Sequence, residues 1–141
     1  MAFNFPNSPS DGQTYTPSGG YQYVFSGGVW RIVTNPSEYT TLNDQTGTTY
    51  TFALVDIGAL VSGNNAAAQT FTVPPFASVP IGIKSKIDFW QKGSGQITVA
   101  PGAGVTLRAV GSRLKTASQY SAATLVKINT DEWLLFGDLT S

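Results

Sequence analysis

The feature that most constrains this chain is a period-two alternation of apolar and polar residues, interrupted every few positions by glycine or proline. It is densest between Ile87 and Arg108. Ile87, Phe89 and Gln91 fall on one side of an extended chain and Asp88 and Trp90 on the other, because side chains alternate across a strand. Gln96-Ile97-Thr98-Val99 alternates again, and Val105-Thr106-Leu107 follows a second turn at Pro101-Gly102-Ala103-Gly104. Lys92-Gly93-Ser94-Gly95 offers the positive φ that a tight reversal uses. The stretch therefore predicts three consecutive strands paired as one sheet, a unit that is stable where two strands are marginal.

The same pattern extends in both directions, and no stretch carries a helical stripe. Pro6 to Gly12 and Pro17 to Gly20 exclude helix near the N-terminus. Gln13-Thr14-Tyr15-Thr16, Tyr21-Gln22-Tyr23-Val24-Phe25 and Val29-Trp30-Arg31-Ile32-Val33 read as a three-strand meander, the last two joined across Ser26-Gly27-Gly28. Thr34-Asn35-Pro36-Ser37-Glu38 breaks the pattern, which divides the chain into residues 1–36 and 37–141. Thr49 to Val55 is the strongest single strand signal. Ala66 to Gln69 favours helix by propensity but is about one turn long and cannot stand alone. Residues 109–119 give the weakest pattern. Trp133-Leu134-Leu135-Phe136 is a near-continuous apolar run, which implies a final strand buried on both faces. Strands at this spacing predict an all-β protein: a small N-terminal β-meander followed by a jelly-roll-like β-sandwich or barrel. Phe52, Leu54, Ile97, Val99, Trp133 and Leu135 are the expected core.

Composition narrows the chemistry. Eight Lys and Arg balance eight Asp and Glu, and only 11% of residues are charged. That balance gives no electrostatic footprint for nucleic acid or an anionic membrane, so neither is expected as a partner. There is no histidine and no cysteine, which removes the commonest general base, the commonest zinc ligands and any thiolate. The opening Met1 to Pro6 has neither a basic nor an apolar run, so no signal peptide is expected, and synthesis in a cytoplasm is. Asp131 and Glu132 are neighbours at a turn and point apart. Asp56 reads as a turn-capping residue. Asp88 beside Trp90 has the makings of a sugar contact, a carboxylate to fix hydroxyls and an indole to stack. Its bland alternative is a strand facing solvent or a neighbour. Neither glycine-rich turn opens a helix, so neither cradles phosphate. Catalysis, cofactor and metal are not expected.

Two stretches resemble proteins of tailed-phage virions. Phe5-Pro6-Asn7-Ser8-Pro9-Ser10-Asp11-Gly12-Gln13-Thr14-Tyr15-Thr16, with Tyr21 to Trp30, is similar to a short module of phage structural proteins. Thr70-Phe71-Thr72-Val73-Pro74-Pro75, Gly93 to Val99, Gln119 to Lys127 and Asp131 to Leu139 resemble a β-domain of tail-fibre, head-fibre and capsid-decoration proteins. The resemblance implies a virion location and a capsid decoration (cement) protein that binds the head shell. Its partners would be copies of itself, as a homotrimer, and the major capsid protein. Tyr15, Tyr21, Tyr23, Phe25 and Trp30 would form the docking surface, being too many aromatics for about 30 residues to cover. The rival is a fibre module that recognises host glycans through Asp88 and Trp90.

Overall fold

The computed structural model describes residues 5–16, 22–33 and 39–141. The chain divides into two compact units, Met1–Glu38 and Tyr39–Ser141. In the first, β1 (Thr14–Tyr15), β2 (Tyr23–Ser26) and β3 (Val29–Ile32) form an antiparallel sheet in the order β1-β2-β3. Gly27 and Gly28 take φ of 60° and 83°. Two consecutive positive φ values match the twist of the flanking strands and make the β2–β3 hairpin tight. Asp11 accepts the Gly27 amide at 2.9 Å and fixes the turn from outside.

The second unit holds β4 (Thr41–Gln45), β5 (Thr49–Thr51), β6 (Ala59–Gly63), β7 (Gln69–Val73), β8 (Lys86–Gln91) and β9 (Ile97–Pro101). It continues with β10 (Thr106–Arg108), β11 (Lys115–Thr116), β12 (Ala122–Asn129), β13 (Glu132–Gly137) and β14 (Leu139–Thr140). One sheet has the order β10-β13-β12-β8-β6-β4 and the other β14-β11-β9-β7-β5. Helix among the described residues amounts to two three-residue 3-10 turns, Leu54–Asp56 and Val110–Ser112. The all-β expectation holds.

The winding differs from the expected one. From β4 to β12 each strand lies in the opposite sheet to the strand before it. Hence β4, β6 and β8 run parallel in one sheet and β5, β7 and β9 run parallel in the other. Three rungs of a two-sheet roll result, closed by the antiparallel hairpin β12–β13. The stretch from Ile87 to Arg108 is therefore not a three-stranded sheet: β8 pairs with β6 and β12, β9 with β7 and β11, and β10 with β13.

The turns explain why. Gly93 and Gly95 are absent from the positive-φ residues and do not make a hairpin. They let one turn lie on the turn of the preceding rung, where a Cβ would overlap the Asn65 and Ala67 carbonyls. Amide side chains staple this stack. Gln69 Nε2 donates to Gln45 O at 3.0 Å and Gly47 O at 2.6 Å, Asn65 Nδ2 to Thr46 O at 2.5 Å, and Gln119 Nε2 to Lys92 O at 2.9 Å.

The sheets face each other across Phe52, Val61, Phe71, Val73, Ile87, Phe89, Ile97, Val99, Leu125, Trp133 and Leu135. Phe52, Phe71 and Phe89 pack with ring centres 5.6 to 6.0 Å apart. Five of the six expected core residues are buried, whereas Leu54 is 49% exposed. The strand signal from Thr49 to Val55 ends at Thr51, and Leu54 sits on a 3-10 turn that aims it outward. The run from Trp133 to Phe136 is likewise buried on one face only. Trp133 and Leu135 point into the core, while Leu134 and Phe136 are exposed on the other face.

Candidate functional site

In the N-terminal unit the aromatics cover one another. Tyr15, Tyr23, Phe25 and Trp30 share one face of the sheet through the pairs Tyr15↔Tyr23 and Phe25↔Trp30. Phe5 closes over them, stacked on Trp30 at 5.2 Å and edge-on to Tyr15 and Tyr23 at 5.5 and 5.1 Å. Tyr23 is buried, and Tyr15, Phe25 and Trp30 are half-buried. Phe5 is the residue the count of aromatics overlooked, since it makes a miniature core of them. Tyr21 lies outside the described residues. The large apolar side chains this sheet leaves most exposed are Val29 and Ile32.

The second candidate lies on the outward face of the six-stranded sheet. Alternation along β8 puts Ile87 and Phe89 in the core and Asp88 and Trp90 outside it. Asp88 sits in a row across the sheet, Phe136–Thr124–Asp88–Leu60–Leu42, set by the cross-strand register. Its carboxylate accepts from Thr124 Oγ1 at 2.5 Å and Tyr39 OH at 3.1 Å, and pairs with Lys86 Nζ at 3.0 Å. Burial pushes the carboxyl up. The hydrogen bonds from Thr124, Lys86 and Tyr39 outweigh burial and hold it below the ordinary carboxylate value. A shallow pocket of about 170 Å³ opens over this row, lined by Tyr39, Leu60, Asp88, Thr124 and Phe136 among others. Trp90 belongs to the adjacent row, beside Ala122 and Ser62, and stacks on Tyr120 with ring centres 6.3 Å apart. Asp88 and Trp90 thus share a face, yet the carboxylate is committed to three partners and the indole to one. Tyr120, Thr124 and Phe136 were not singled out from the sequence. Their signal was the register of β12 and β13 against β8, which no single strand reveals.

The other acids serve the fold. Asp56 is fully buried at the β4–β5 end of the roll. It accepts Ala53 N at 2.7 Å, Tyr50 OH at 2.8 Å and Asn43 Nδ2 at 2.7 Å. It caps its turn as the sequence implied, and it also closes the core where the sheets run out. Burial and the Asp56 hydrogen bond together push the Tyr50 phenol well above its ordinary value. At the far end Lys127 is 1% exposed on the inward face of β12. Its ammonium donates to Ile81 O at 2.9 Å and lies over the Phe76 and Trp133 rings at 4.7 and 5.5 Å. Burial lowers its pKa, opposed by the charge of Asp131. Asp131 itself accepts the Phe76 amide at 2.7 Å, which pins the loop over the lysine. Among the described residues no three acids, histidines or cysteines gather to hold a metal. No described helix is long and apolar enough to cross a membrane.

The outward face of the five-stranded sheet has a different character. Thr49, Thr70 and Thr98 lie side by side on successive rungs, as do Thr51, Thr72 and Ala100. One outer face of the roll is therefore threonine-rich, and the other mixes apolar and aromatic side chains with the Lys86–Asp88, Lys92–Asp44 and Arg108–Glu132 ion pairs. A scan against protein-family models and a search of curated proteins each give no match for this chain.

Proposed function

We propose that this chain is a structural protein of a tailed-phage virion, a capsid decoration protein that associates with itself and binds the head shell. The observation that carries the reading is the joining of two dissimilar parts. A self-contained aromatic unit stands at the N-terminus, and after it comes a charge-poor β-roll whose buried acids, Asp56 and Asp88, are spent on structural hydrogen bonds. Such a protein works by contact, through its exposed surfaces. The resemblance of Phe5 to Trp30 and of Thr70 to Leu139 to phage modules supports the same reading. In it the N-terminal sheet docks on the shell or a neighbouring subunit. Because its aromatics are mutually packed, the contact falls to the rim of that cluster and to Val29 and Ile32.

The Trp90–Tyr120 pair beside the Asp88 pocket supports a second reading, a fibre module that binds host glycans. One pair of experiments separates the two. Decoration expects a chain lacking residues 1–33 to fold and fail to load onto particles, and Trp90→Ala to leave host attachment unchanged. Receptor binding expects Trp90→Ala particles to keep the protein and lose attachment. Normal loading of the truncated chain removes the docking role of the N-terminal unit.

A further inference from the structure

We infer that the cleft between β13 and the Val110–Ser112 turn binds an extended peptide segment of a partner protein, held by its backbone and by a carboxylate. β10 ends at Arg108, opposite Leu134, whereas β13 runs on to Gly137. Beyond Leu134 the β13 edge therefore has no strand beside it on that side among the described residues. Gly111 and Ser112 turn the chain away at φ of 61° and 53°. By Leu114, whose carbonyl accepts the Val99 amide at 2.7 Å, it has crossed to the other sheet. The gap this leaves is a cleft of about 100 Å³ lined by Val110, Arg113, Leu135, Phe136, Gly137 and Leu139.

Edge, walls and charge together name the occupant. An open strand edge is matched by another extended backbone, which pairs with it as an added strand. The walls are apolar, buried Leu135 together with Val110 and Phe136 at 85% and 49% exposure, and so suit an apolar side chain. The one charged residue lining the cleft is Arg113. Its guanidinium has no hydrogen bond or ion pair among the described residues, whereas Lys86, Lys92 and Arg108 are each closed by an acid. The Arg113 side chain folds back beside Gly111, its Nε 3.6 Å from where a Cβ there would stand. A carboxylate answers it, because guanidinium donors match carboxylate oxygens in a forked pair. A nucleic acid would need a run of cations to meet its phosphates, and the cleft has a single one. The ligand is thus a short strand with an apolar side chain next to a carboxylate, long enough to lie along Leu135 to Gly137. This inference goes beyond the virion reading and does not rest on it.

The test is an NMR titration of the isotope-labelled, full-length chain with N-acetyl-Thr-Val-Thr-Val, which has a free terminal carboxylate. Amide shifts should saturate and stay confined to Val110–Arg113 and Leu135–Leu139. Arg113→Ala should weaken binding about three- to tenfold, the worth of a charge-assisted bond near solvent. Val110→Glu, which adds an acid at the cleft, should abolish it. Both positions are exposed, so neither variant threatens the fold. Lys84→Ala removes the same charge near Lys127, at the other end of β12, and should leave the affinity unchanged. The peptide with an amidated terminus should bind the wild type as weakly as the free acid binds Arg113→Ala. Isovalerate, which has an apolar group and a carboxylate but no backbone, should bind more weakly than the peptide. Shifts that fail to saturate, that scatter away from the cleft, or that Arg113→Ala leaves unmoved overturn the site. Equal binding by the amidated peptide or by isovalerate overturns the peptide carboxylate as its ligand.

Discussion

The amide of Gly95 donates to the carbonyl of Asn65 at 2.8 Å and so ties the third turn of the roll to the second. A Cβ at position 95 would overlap the Ala67 carbonyl, a backbone atom that cannot swing aside. Gly95→Ala should therefore destabilise by about 1–3 kcal/mol or more, the scale of overpacking in a closed site. Gly104→Ala is a useful contrast, since its added Cβ meets nothing within 4 Å and its only strain is a φ of 77°. Denaturant midpoints of the two variants make the comparison, and Gly95→Ala should be the more costly.

How far the fold was legible follows from those turns. Alternation identifies strands, because it records which residues face the core. It does not say which sheet a strand joins, and a hairpin and a rung of a roll have the same period. The clue lay in recurrence: Thr49-Tyr50-Thr51, Thr70-Phe71-Thr72 and Thr98-Val99-Ala100 occupy one place on successive rungs. Their spacing of 21 and then 28 residues is uneven because the loop between β7 and β8 is long, which hides the repeat. Leu134 and Phe136 were misread for a related reason. A strand with apolar residues on both faces can be buried twice or can present one face to a partner. At the candidate site Asp88 and Trp90 were found on one strand, while Tyr120, Thr124 and Phe136 lie 30 or more residues away from them in sequence.

Trp30→Ala should unfold the N-terminal sheet. Trp30 touches Phe5, Tyr15 and Phe25, and losing a large aromatic from a core costs about 3–5 kcal/mol, more than three short strands can hold in reserve. Near-UV circular dichroism should lose the signal of that cluster while the main unfolding transition of residues 39–141 keeps its midpoint.

Asp88 predicts part of the acid limb of stability. Its folded carboxyl titrates below the unfolded one, so its contribution is fully present above about pH 4 and is lost as pH falls through the depressed value. Asp88→Asn should cost about 1–2 kcal/mol at neutral pH, a charge-assisted hydrogen-bond value discounted for partial screening. It should also flatten the fall in stability below pH 4. Urea midpoints taken from pH 2 to 7 read both effects.

Tyr50 predicts the alkaline limb with the opposite sign. Its folded pKa is raised, so its contribution is present below the ordinary tyrosine value near pH 10 and is lost above it, where the unfolded chain ionises first. Tyr50→Phe leaves Asp56 short of a donor and should cost about 1–3 kcal/mol at pH 7. The variant should then lose less stability than the wild type between pH 9 and 11, measured on matched urea curves.

The most direct test of the functional account is to locate this chain in a cryo-electron-microscopy map of the particle that carries it. The account predicts density for the two-sheet roll on the outside of the head shell, in copies that touch one another, with the N-terminal sheet against the shell or a neighbouring subunit. Density confined to the tip of a tail fibre, with the Trp90–Tyr120 face turned outward, would contradict it.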